Sequence, residues 1–216
     1  MEFKVKRIQD GLMAFRNISR DSLLETNNRV LRDKYGSEAY YFIMENLEFI
    51  TYGKSVKEKV FSDDFKDNFE LLFDNEYALR LKSYNRYVNE KYEYRVLTTT
   101  DSELLTEFKL QFNKDELEAG AVSIEDPLVI GAFDGTKLIG VSSTWEWEND
   151  LVDIGLIVDL NYRTHGIGTS VVSVLIDNVV NNKICIYRAD YENVGSIRIA
   201  EKLGFERITK IHRLKK

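Results

Sequence analysis

The sequence predicts an α/β (α+β) fold, in which a mixed, mostly antiparallel sheet is flanked by helices and follows a mainly helical N-terminal extension. Three patterns lead to this prediction. Short apolar runs are joined by two-residue turn signals, a long apolar helical stretch interrupts them, and a last apolar run closes the chain. The pattern of apolar residues changes near Tyr92, from mostly helical spacing to alternating strand and helix signals. We therefore divide the chain into an extension over residues 1–91 and a domain over residues 92–216.

The composition excludes several classes of protein. The formal net charge of −6 weighs against non-specific binding to nucleic acid, which needs a basic surface. No stretch is apolar and long enough to span a membrane, and residues 1–10 lack the apolar core of a signal peptide, so we expect a cytoplasmic protein without a membrane partner. Cys185 is the only cysteine, which excludes an internal disulfide and a cysteine-built metal site. We expect no metal.

The extension contains two helix patterns near its start. Ser22 and Glu25 have the spacing of a capping box, and Gly36 is placed to end the helix they begin. Ser37 is predicted to begin a second helix, which ends near Gly53. One face of that helix would carry five apolar residues: Tyr40, Ile43, Met44, Leu47 and Ile50.

The rest of the extension is less regular. Phe65, Phe69, Leu72 and Phe73 recur at helical spacing after Ser62. The segment from Tyr77 to Leu81 fits a helix, which we favour, but its alternation also fits a strand. The tyrosines at 77, 84, 87, 92 and 94 are expected to pack the extension onto the rest of the chain with their hydroxyls at the rim.

The domain begins with alternating strand and helix signals. Residues 94–97 are strand-like, and Thr100 with Glu103 opens a helix. Strands are then predicted over Leu128 to Phe133, Leu138 to Trp145 and Leu151 to Val158. The turn signals Asp134-Gly135 and Asn149-Asp150 join them into an antiparallel meander.

The last part of the domain predicts a crossover. An apolar helix over Thr169 to Val180 is followed by a strand over Lys183 to Arg188, which a helical connection makes parallel to the strand before it. A shorter helix carries apolar residues every three positions and is stopped by Gly204. A strand over Phe205 to Leu214 completes the order β-α-β-β-β-α-β-α-β.

The stretch from Val158 to Thr169 is the candidate binding site. It is predicted as a strand that breaks into a glycine-containing loop and continues as a helix. Such an arrangement directs unpaired backbone N–H groups and the positive end of the helix dipole at whatever lies before the loop. We therefore expect an anion there, and a phosphate above all.

Two motifs resemble those of the GCN5-related N-acetyltransferase (GNAT) superfamily. The family's acyl-CoA loop, Arg/Gln-x-x-Gly-x-Gly/Ala, is present as Arg163-Thr164-His165-Gly166-Ile167-Gly168. Its later Asn-x-x-Ala/Ser-x-x-x-x-x-Lys-x-Gly-Phe is present as Asn193, Ser196, Lys202, Gly204 and Phe205. The resemblance covers about residues 92–216 and implies the GNAT fold.

The resemblance implies acetyl-CoA as co-substrate. The two loop glycines would let the backbone approach its pyrophosphate, and the N–H groups of roughly residues 164–169 would bind the oxygens. The pantetheine arm would pair with the strand before the loop, and a backbone N–H there would polarise the thioester carbonyl. The implied cofactor-binding residues are Leu156, Ile157, Val158, Arg163, Thr164, His165, Gly166, Ile167, Gly168, Thr169 and Asn193. Two alternatives stay open: Arg163 could pair with a carboxylate, and Asn193 could cap the helix after it.

The catalytic residues are less well marked. An amine must lose a proton before it attacks a thioester, and the family often uses an acidic residue near the strand before the loop, which here gives Asp153 and then Glu146. The family's usual general acid is a tyrosine, and the corresponding residue here is Ala200. Water, Tyr191 or Tyr187 would then protonate the leaving thiolate.

The resemblance therefore implies an N-acetyltransferase that moves an acetyl group to a primary amine by direct attack. The net negative charge of the chain slightly favours a small cationic acceptor, because it would attract a cation. The sequence leaves the identity of that acceptor open. Residues 1–91 would wall one side of the acceptor cleft or form the contact surface of a homodimer. The replacement of the usual tyrosine by Ala200 motivates an alternative function, an acyl-CoA-binding sensor or interaction module whose catalysis is weak or lost.

Overall fold

The computed structural model describes residues 30–32, 38–44, 47–56, 69–70, 75–79, 84–146, 150–179 and 183–214. The strands in these residues are, in chain order, β1 Val30–Arg32, β2 Ala39–Met44, β3 Leu47–Tyr52, β4 Phe69–Glu70, β5 Asn75–Leu79, β6 Glu93–Val96, β7 Leu128–Asp134, β8 Lys137–Glu146, β9 Leu151–Val158, β10 Ile184–Ala189 and β11 Phe205–Leu214. The α-helices in these residues are α1 Ser102–Lys109, α2 Lys114–Gly120, α3 Ile167–Asn178 and α4 Val194–Leu203.

The chain divides into two compact units. The major unit contains residues 79–187 and 198–206, and the minor unit contains the remaining described residues. In the minor unit, β2 and β3 form an antiparallel hairpin, β1 pairs in parallel with β3, and β11 pairs antiparallel with β2. The short strand β4 pairs with the end of β11.

The major unit contains the predicted meander. Strands β6, β7, β8 and β9 pair antiparallel in that order, and β10 pairs with β9 in parallel. Gly135, with φ of +59°, forms the predicted turn between β7 and β8. Because the parallel pairing of β9 and β10 requires a crossover, α3 connects the two strands, as the sequence predicted.

Helices cover both faces of this sheet. On one face, the α1–α2 face, a buried core includes Leu105 and Phe108 of α1 with Val141 of β8 and Ile157 of β9. On the other face, the α3 face, the helix packs against β7, β8 and β9. Helix α2 was not predicted. Its start is marked by a capping box in which Asn113 and Glu116 exchange hydrogen bonds of 2.9 Å and 3.2 Å.

The predicted helix from Ser37 to Gly53 is wrong, because β2 and β3 occupy this stretch. Both strands are rich in aromatic and β-branched residues, and both of their faces are partly buried. A run that is apolar on both faces also satisfies helical spacing, so periodicity could not separate the two structures. The preference for a helix over Tyr77 to Leu81 is also wrong where the structure describes it, since Asn75–Leu79 form β5, and the alternation of Tyr77 and Leu79 fits this strand.

The other predictions for the extension are only partly tested. The helix begun by Ser22 and most of the helix after Ser62 lie outside the described residues, as does Asn149 of the second turn. Phe69, which that second helix would include, lies in β4. The division into residues 1–91 and 92–216 stays a prediction. No helix in the described part of the chain is long and apolar enough to cross a membrane.

The turn before α1 contains an ion pair, between Arg95 and Asp101, that we expect to fail in acid. Asp101 accepts hydrogen bonds from Arg95 at 2.7 Å and from the Thr98 N–H at 2.9 Å, and these lower its pKa from 3.8 to about 2. A lowered pKa stabilises the fold above pH 3.8, and the stabilisation disappears as the pH falls toward 2.

We therefore expect Asp101→Asn to lose about 1 kcal/mol of unfolding free energy at pH 6 and less at pH 2.5, a small value because Arg95 is half exposed. Urea unfolding at both pH values checks this. Glu125→Gln, at an exposed position, is the control. An equal loss at both pH values would contradict the assignment.

Candidate active site

Strand β9 is paired from Val152 to its end on one edge and only at its start on the other. Its pairing with β8 runs from Val152, opposite Glu146, to Val158, opposite Gly140. Its pairing with β10 stops where Asp153 meets Ile186. Residues 154–158 of β9 therefore have an edge that no strand pairs with among the described residues, and we call this the open edge.

Hydrogen bonding decides which residues present polar groups to the open edge. The Asp159 N–H donates to the Ile139 carbonyl at 3.0 Å, so odd-numbered residues of β9 bond β8 and even-numbered ones point away from it. Leu156 and Val158 therefore present their N–H groups to the open edge. Ile157 does not, and its side chain is buried in the core of the α1–α2 face. Of the three residues predicted to line a pantetheine arm, two offer polar groups for it.

The loop after β9 starts from a buried carboxylate. Asp159 is 1% exposed, accepts from the Asn161 N–H at 2.8 Å and pairs with Lys137 at 2.8 Å. Burial opposes the charge, but the hydrogen bonds from Lys137 and Asn161 outweigh it and lower the pKa of Asp159. These contacts hold the short 3-10 helix Leu160–Tyr162 at the entrance of the loop.

The loop ends in two left-handed residues at the start of α3. Thr164 has φ of +70° and Gly166 has φ of +78°, and no side chain caps the helix. The N–H groups of Ile167, Gly168 and Thr169 belong to the first turn, so the helix itself offers them no acceptor. A β-branched residue in the left-handed region is strained, which is common where a loop is shaped for a ligand.

The two loop glycines meet different constraints. Gly166 has a positive φ, which disfavours any side chain, and a Cβ there would also lie 2.8 Å from the Tyr87 hydroxyl. A Cβ on Gly168 would lie 2.8 Å from Ile199 and 3.3 Å from Leu156. The absence of a side chain at Gly168 thus allows α3 to pack closely against β9 and α4.

Arg163 is paired with a carboxylate in this structure. Its guanidinium lies 2.9 Å from Glu116 of α2 and 3.4 Å from the Val158 carbonyl oxygen. The hydrogen bond from Arg163 lowers the pKa of Glu116. The side chains of Thr164 and His165 are exposed, whereas those of residues 167–169 are buried. The latter can therefore contribute only backbone groups to a ligand.

Sequence reasoning missed a segment that supports the loop, residues 84–92, which we call the strap. The Asn89 side chain donates to the His165 carbonyl at 3.0 Å, and the Asn89 N–H donates to the Ser170 hydroxyl at 2.9 Å. That hydroxyl donates to the Gly166 carbonyl at 2.9 Å. The tyrosines of the strap were expected to pack with hydroxyls at the rim, and Tyr84 does so against Ser173 and Asp177. The sequence signal that could have revealed the strap lies in α3, where serines at 170 and 173 interrupt an apolar stretch and need hydrogen-bond partners.

The two candidate bases lie on opposite faces of the sheet. Asp153 is 6% exposed, accepts from the Ile154 N–H at 3.0 Å and shares the α1–α2 face with Ile157. Glu146 is paired with Val152, so its side chain points to the α3 face, and it forms an ion pair with Lys183. The structure does not bring the two carboxylates together. Only Asp153 lies where the open edge begins.

The remaining candidates are described within their own units. In the minor unit, the Tyr191 hydroxyl donates to Glu192 at 3.1 Å, and the Asn193 side chain accepts from the Ser196 N–H at 3.1 Å. Asn193 therefore caps α4, which confirms one of its two predicted roles. In the major unit, Ala200 is fully buried, and Tyr187 is 2% exposed with its ring packed against Phe205. Of the two candidate acids, Tyr187 is thus deep in the core.

The comparison with protein families identifies the class. A family model described as "Acetyltransferase (GNAT) domain" matches residues 61–206, more than half of the chain. The chain therefore belongs to the GNAT acetyltransferase family, which confirms the resemblance and supports acyl transfer as its chemistry. The match begins upstream of Tyr92, inside the segment assigned to the extension.

Solved structures agree on the fold. An acetyltransferase of the GNAT family from Colwellia psychrerythraea is 15% identical, with a TM-score of 0.59 over 98% of this chain and 72% of that one. A functionally unknown conserved protein from Staphylococcus epidermidis is 14% identical, with a TM-score of 0.52 over 83% of this chain and 73% of that one. At these identities the likeness shows the fold alone. No curated protein sequence matches the chain.

Comparing two glycines of similar backbone conformation tests the packing at the loop. Gly135 has φ of +59° and open space where a Cβ would lie, so Gly135→Ala should cost only backbone strain, about 1 kcal/mol. Gly166→Ala adds a clash with Tyr87, and we expect it to cost at least about 1 kcal/mol more. Urea unfolding of both variants measures the difference. Equal losses of unfolding free energy in the two variants would mean that the Tyr87 side chain moves aside without cost.

Proposed function

We propose that the protein is an acetyl-CoA-dependent N-acetyltransferase that moves the acetyl group directly onto a primary amine. The observation that carries the proposal is the continuity of the open edge of β9 with the uncapped start of α3. One strand–loop–helix segment thus offers backbone donors first to an extended amide-bearing chain and then to a phosphate group. Coenzyme A carries these two parts in that order.

The chain's residues divide the work of binding. The N–H groups of Leu156 and Val158 would pair with the pantetheine arm, and the one nearest the thioester would polarise its carbonyl. The N–H groups around Gly166 to Thr169 would bind the pyrophosphate. Arg163 would add a cation if it exchanged Glu116 for a phosphate oxygen. We also propose that Asn193 contacts coenzyme A. The other residues that the resemblance assigns to cofactor binding belong to the same proposal.

The reaction forms a C–N bond and breaks the C–S bond of the thioester. Asp153, directly or through water, would take the proton that the ammonium must lose before its nitrogen attacks. The thiolate that leaves would gain a proton from water or from Tyr191. Positioning of the two reactants supplies much of the acceleration of such a transfer, so a dedicated acid is not required.

Binding of the donor can be tested without an acceptor. Acetyl-CoA should raise the melting temperature, with a stabilisation of about 2.7 kcal/mol at a concentration one hundred times the Kd. S-acetylpantetheine lacks the pyrophosphate and should stabilise far less. If both compounds stabilise equally, residues 164–169 are not the phosphate site.

The base assignment predicts a difference between two carboxylates. Asp153→Asn should lower kcat by about 100-fold or more with the Kd for acetyl-CoA unchanged, because the amine then keeps its proton. Glu146→Gln should have a smaller effect, since Glu146 lies on the other face and pairs with Lys183. Release of free CoA measures both. The reverse order of effects would assign the base to Glu146.

A second function has one observation in its favour. Where the family usually has its acidic tyrosine, this chain has Ala200, so the position offers no hydroxyl; the residue is fully buried. The protein would then be an acyl-CoA-binding sensor or interaction module with little catalysis. Stabilisation by acetyl-CoA, together with no release of CoA across a broad panel of primary amines, would favour this function over transfer.

A further inference from the structure

The strap brings a phenol hydroxyl to the start of α3. Tyr87 donates its backbone N–H to the Ser173 hydroxyl at 3.0 Å, which fixes the residue against the helix. The Tyr87 hydroxyl lies 2.8 Å from the position of a Cβ on Gly166, so it fills the space that the glycine leaves open. Gly166 directly precedes the first turn of α3, whose N–H groups have no acceptor within the helix. The Tyr87 hydroxyl is therefore adjacent to the proposed phosphate site.

A cation lies over the same tyrosine ring. The Lys202 ammonium is 3.4 Å from the centre of the Tyr87 ring, which is a cation–π contact. The next residue, Leu203, accepts a hydrogen bond from the Asn85 N–H at 3.0 Å, so the strap is joined to the end of α4 at this point. These residues all belong to the major unit. Because the ammonium lies over the ring that carries the hydroxyl, one small ligand can contact both groups.

The protein itself leaves both polar groups available. Within the described part of the chain, the Tyr87 hydroxyl makes no hydrogen bond, and Lys202 forms no ion pair with a carboxylate. The loop cation Arg163 differs, because its guanidinium pairs with Glu116 at 2.9 Å. A hydroxyl and an ammonium beside backbone N–H groups form a cluster of hydrogen-bond donors with a positive charge. Such a cluster suits an anion with several acceptor oxygens.

We propose that Tyr87 and Lys202 bind the pyrophosphate of acetyl-CoA from the strap side of the loop. The hydroxyl donates to a phosphate oxygen, and the ammonium supplies the charge that Arg163 gives to Glu116 in the free protein. This inference rests on the proposed acetyl transfer and adds two binding residues to its donor site. Tyr87 lies outside both sequence motifs, and Lys202 is a motif residue to which the resemblance assigned no role.

Two tyrosines of the strap give a matched test. Tyr87→Phe removes a hydroxyl that bonds no described residue, so the melting temperature of the free protein should not change. The same variant should raise the Kd for acetyl-CoA about tenfold, because a hydrogen bond to a charged group is lost. Tyr84→Phe removes a hydroxyl that bonds Ser173 and Asp177, so it should lower the melting temperature and leave the Kd unchanged. Thermal unfolding and calorimetric titration measure these effects.

A lysine variant and a series of ligands locate the contact. Lys202→Met keeps an unbranched side chain without the charge and should raise the Kd for acetyl-CoA by about 5- to 30-fold. Lys210→Met removes the same charge from an exposed position of β11 and is the control. Tyr87→Phe and Lys202→Met should weaken acetyl-dephospho-CoA, which keeps the pyrophosphate but lacks the 3′-phosphate, by the same factors. Both variants should bind S-acetylpantetheine, which has no phosphate, as the wild type does.

Several results would overturn the proposal. An unchanged Kd for acetyl-CoA in either variant would do so, as would an equal loss with S-acetylpantetheine. A loss that disappears with acetyl-dephospho-CoA would assign the contact to the 3′-phosphate instead. If acetyl-CoA binds but no amine is acetylated, the proposed transfer fails, and the same Kd values still decide the roles of Tyr87 and Lys202. If acetyl-CoA does not bind, titration with inorganic pyrophosphate decides them: binding that Tyr87→Phe weakens supports the proposal, and no binding overturns it.

Discussion

The early end of the β9–β10 ladder is the constraint on which the rest of the site depends. Up to Asp153 both edges of β9 are bonded to neighbouring strands, and beyond it, among the described strands, only the edge toward β8 is. Backbone N–H and C=O groups that lose a strand partner must be satisfied by water or by a ligand, because an unmet buried group costs about 1–3 kcal/mol. The open edge thus favours an extended molecule with its own amides. It also places the even-numbered residues of β9, rather than Ile157, in the position to bind it.

Other parts of the major unit hold the loop after β9, the proposed anion site, in shape. The buried Asp159 fixes its entrance through Lys137 and Asn161. The strap fixes its far side, where Asn89 bonds the His165 carbonyl and Ser170 links Asn89 to Gly166. Backbone donors that are already oriented bind an anion without a further loss of conformational freedom. Thr164 adopts its strained left-handed conformation between these two fixed ends of the loop.

The proton chemistry rests on fewer groups than the binding chemistry. One carboxylate, Asp153, lies on the face of the sheet where the open edge begins, and Glu146 is separated from it by the sheet itself. Ala200, at the position where the resemblance to the family implies the usual general acid, is fully buried and has no hydroxyl. Backbone hydrogen bonds and positioning thus carry most of the proposed catalysis.

The sequence by itself determined the meander, the parallel crossover strand, the start of the loop and the family, because turn residues, apolar runs and two spaced motifs are local features of the chain. It could not assign β2 and β3, whose two-sided burial depends on partners distant in sequence. It could not place Asp153 and Glu146 on opposite faces either, since the face a strand residue occupies follows from register. Only the tertiary structure decided where the β9–β10 ladder stops, that Arg163 pairs with Glu116, and that the strap supports the loop. Each of these joins residues far apart along the chain, where hydrogen-bond geometry and packing, rather than local pattern, select the partner.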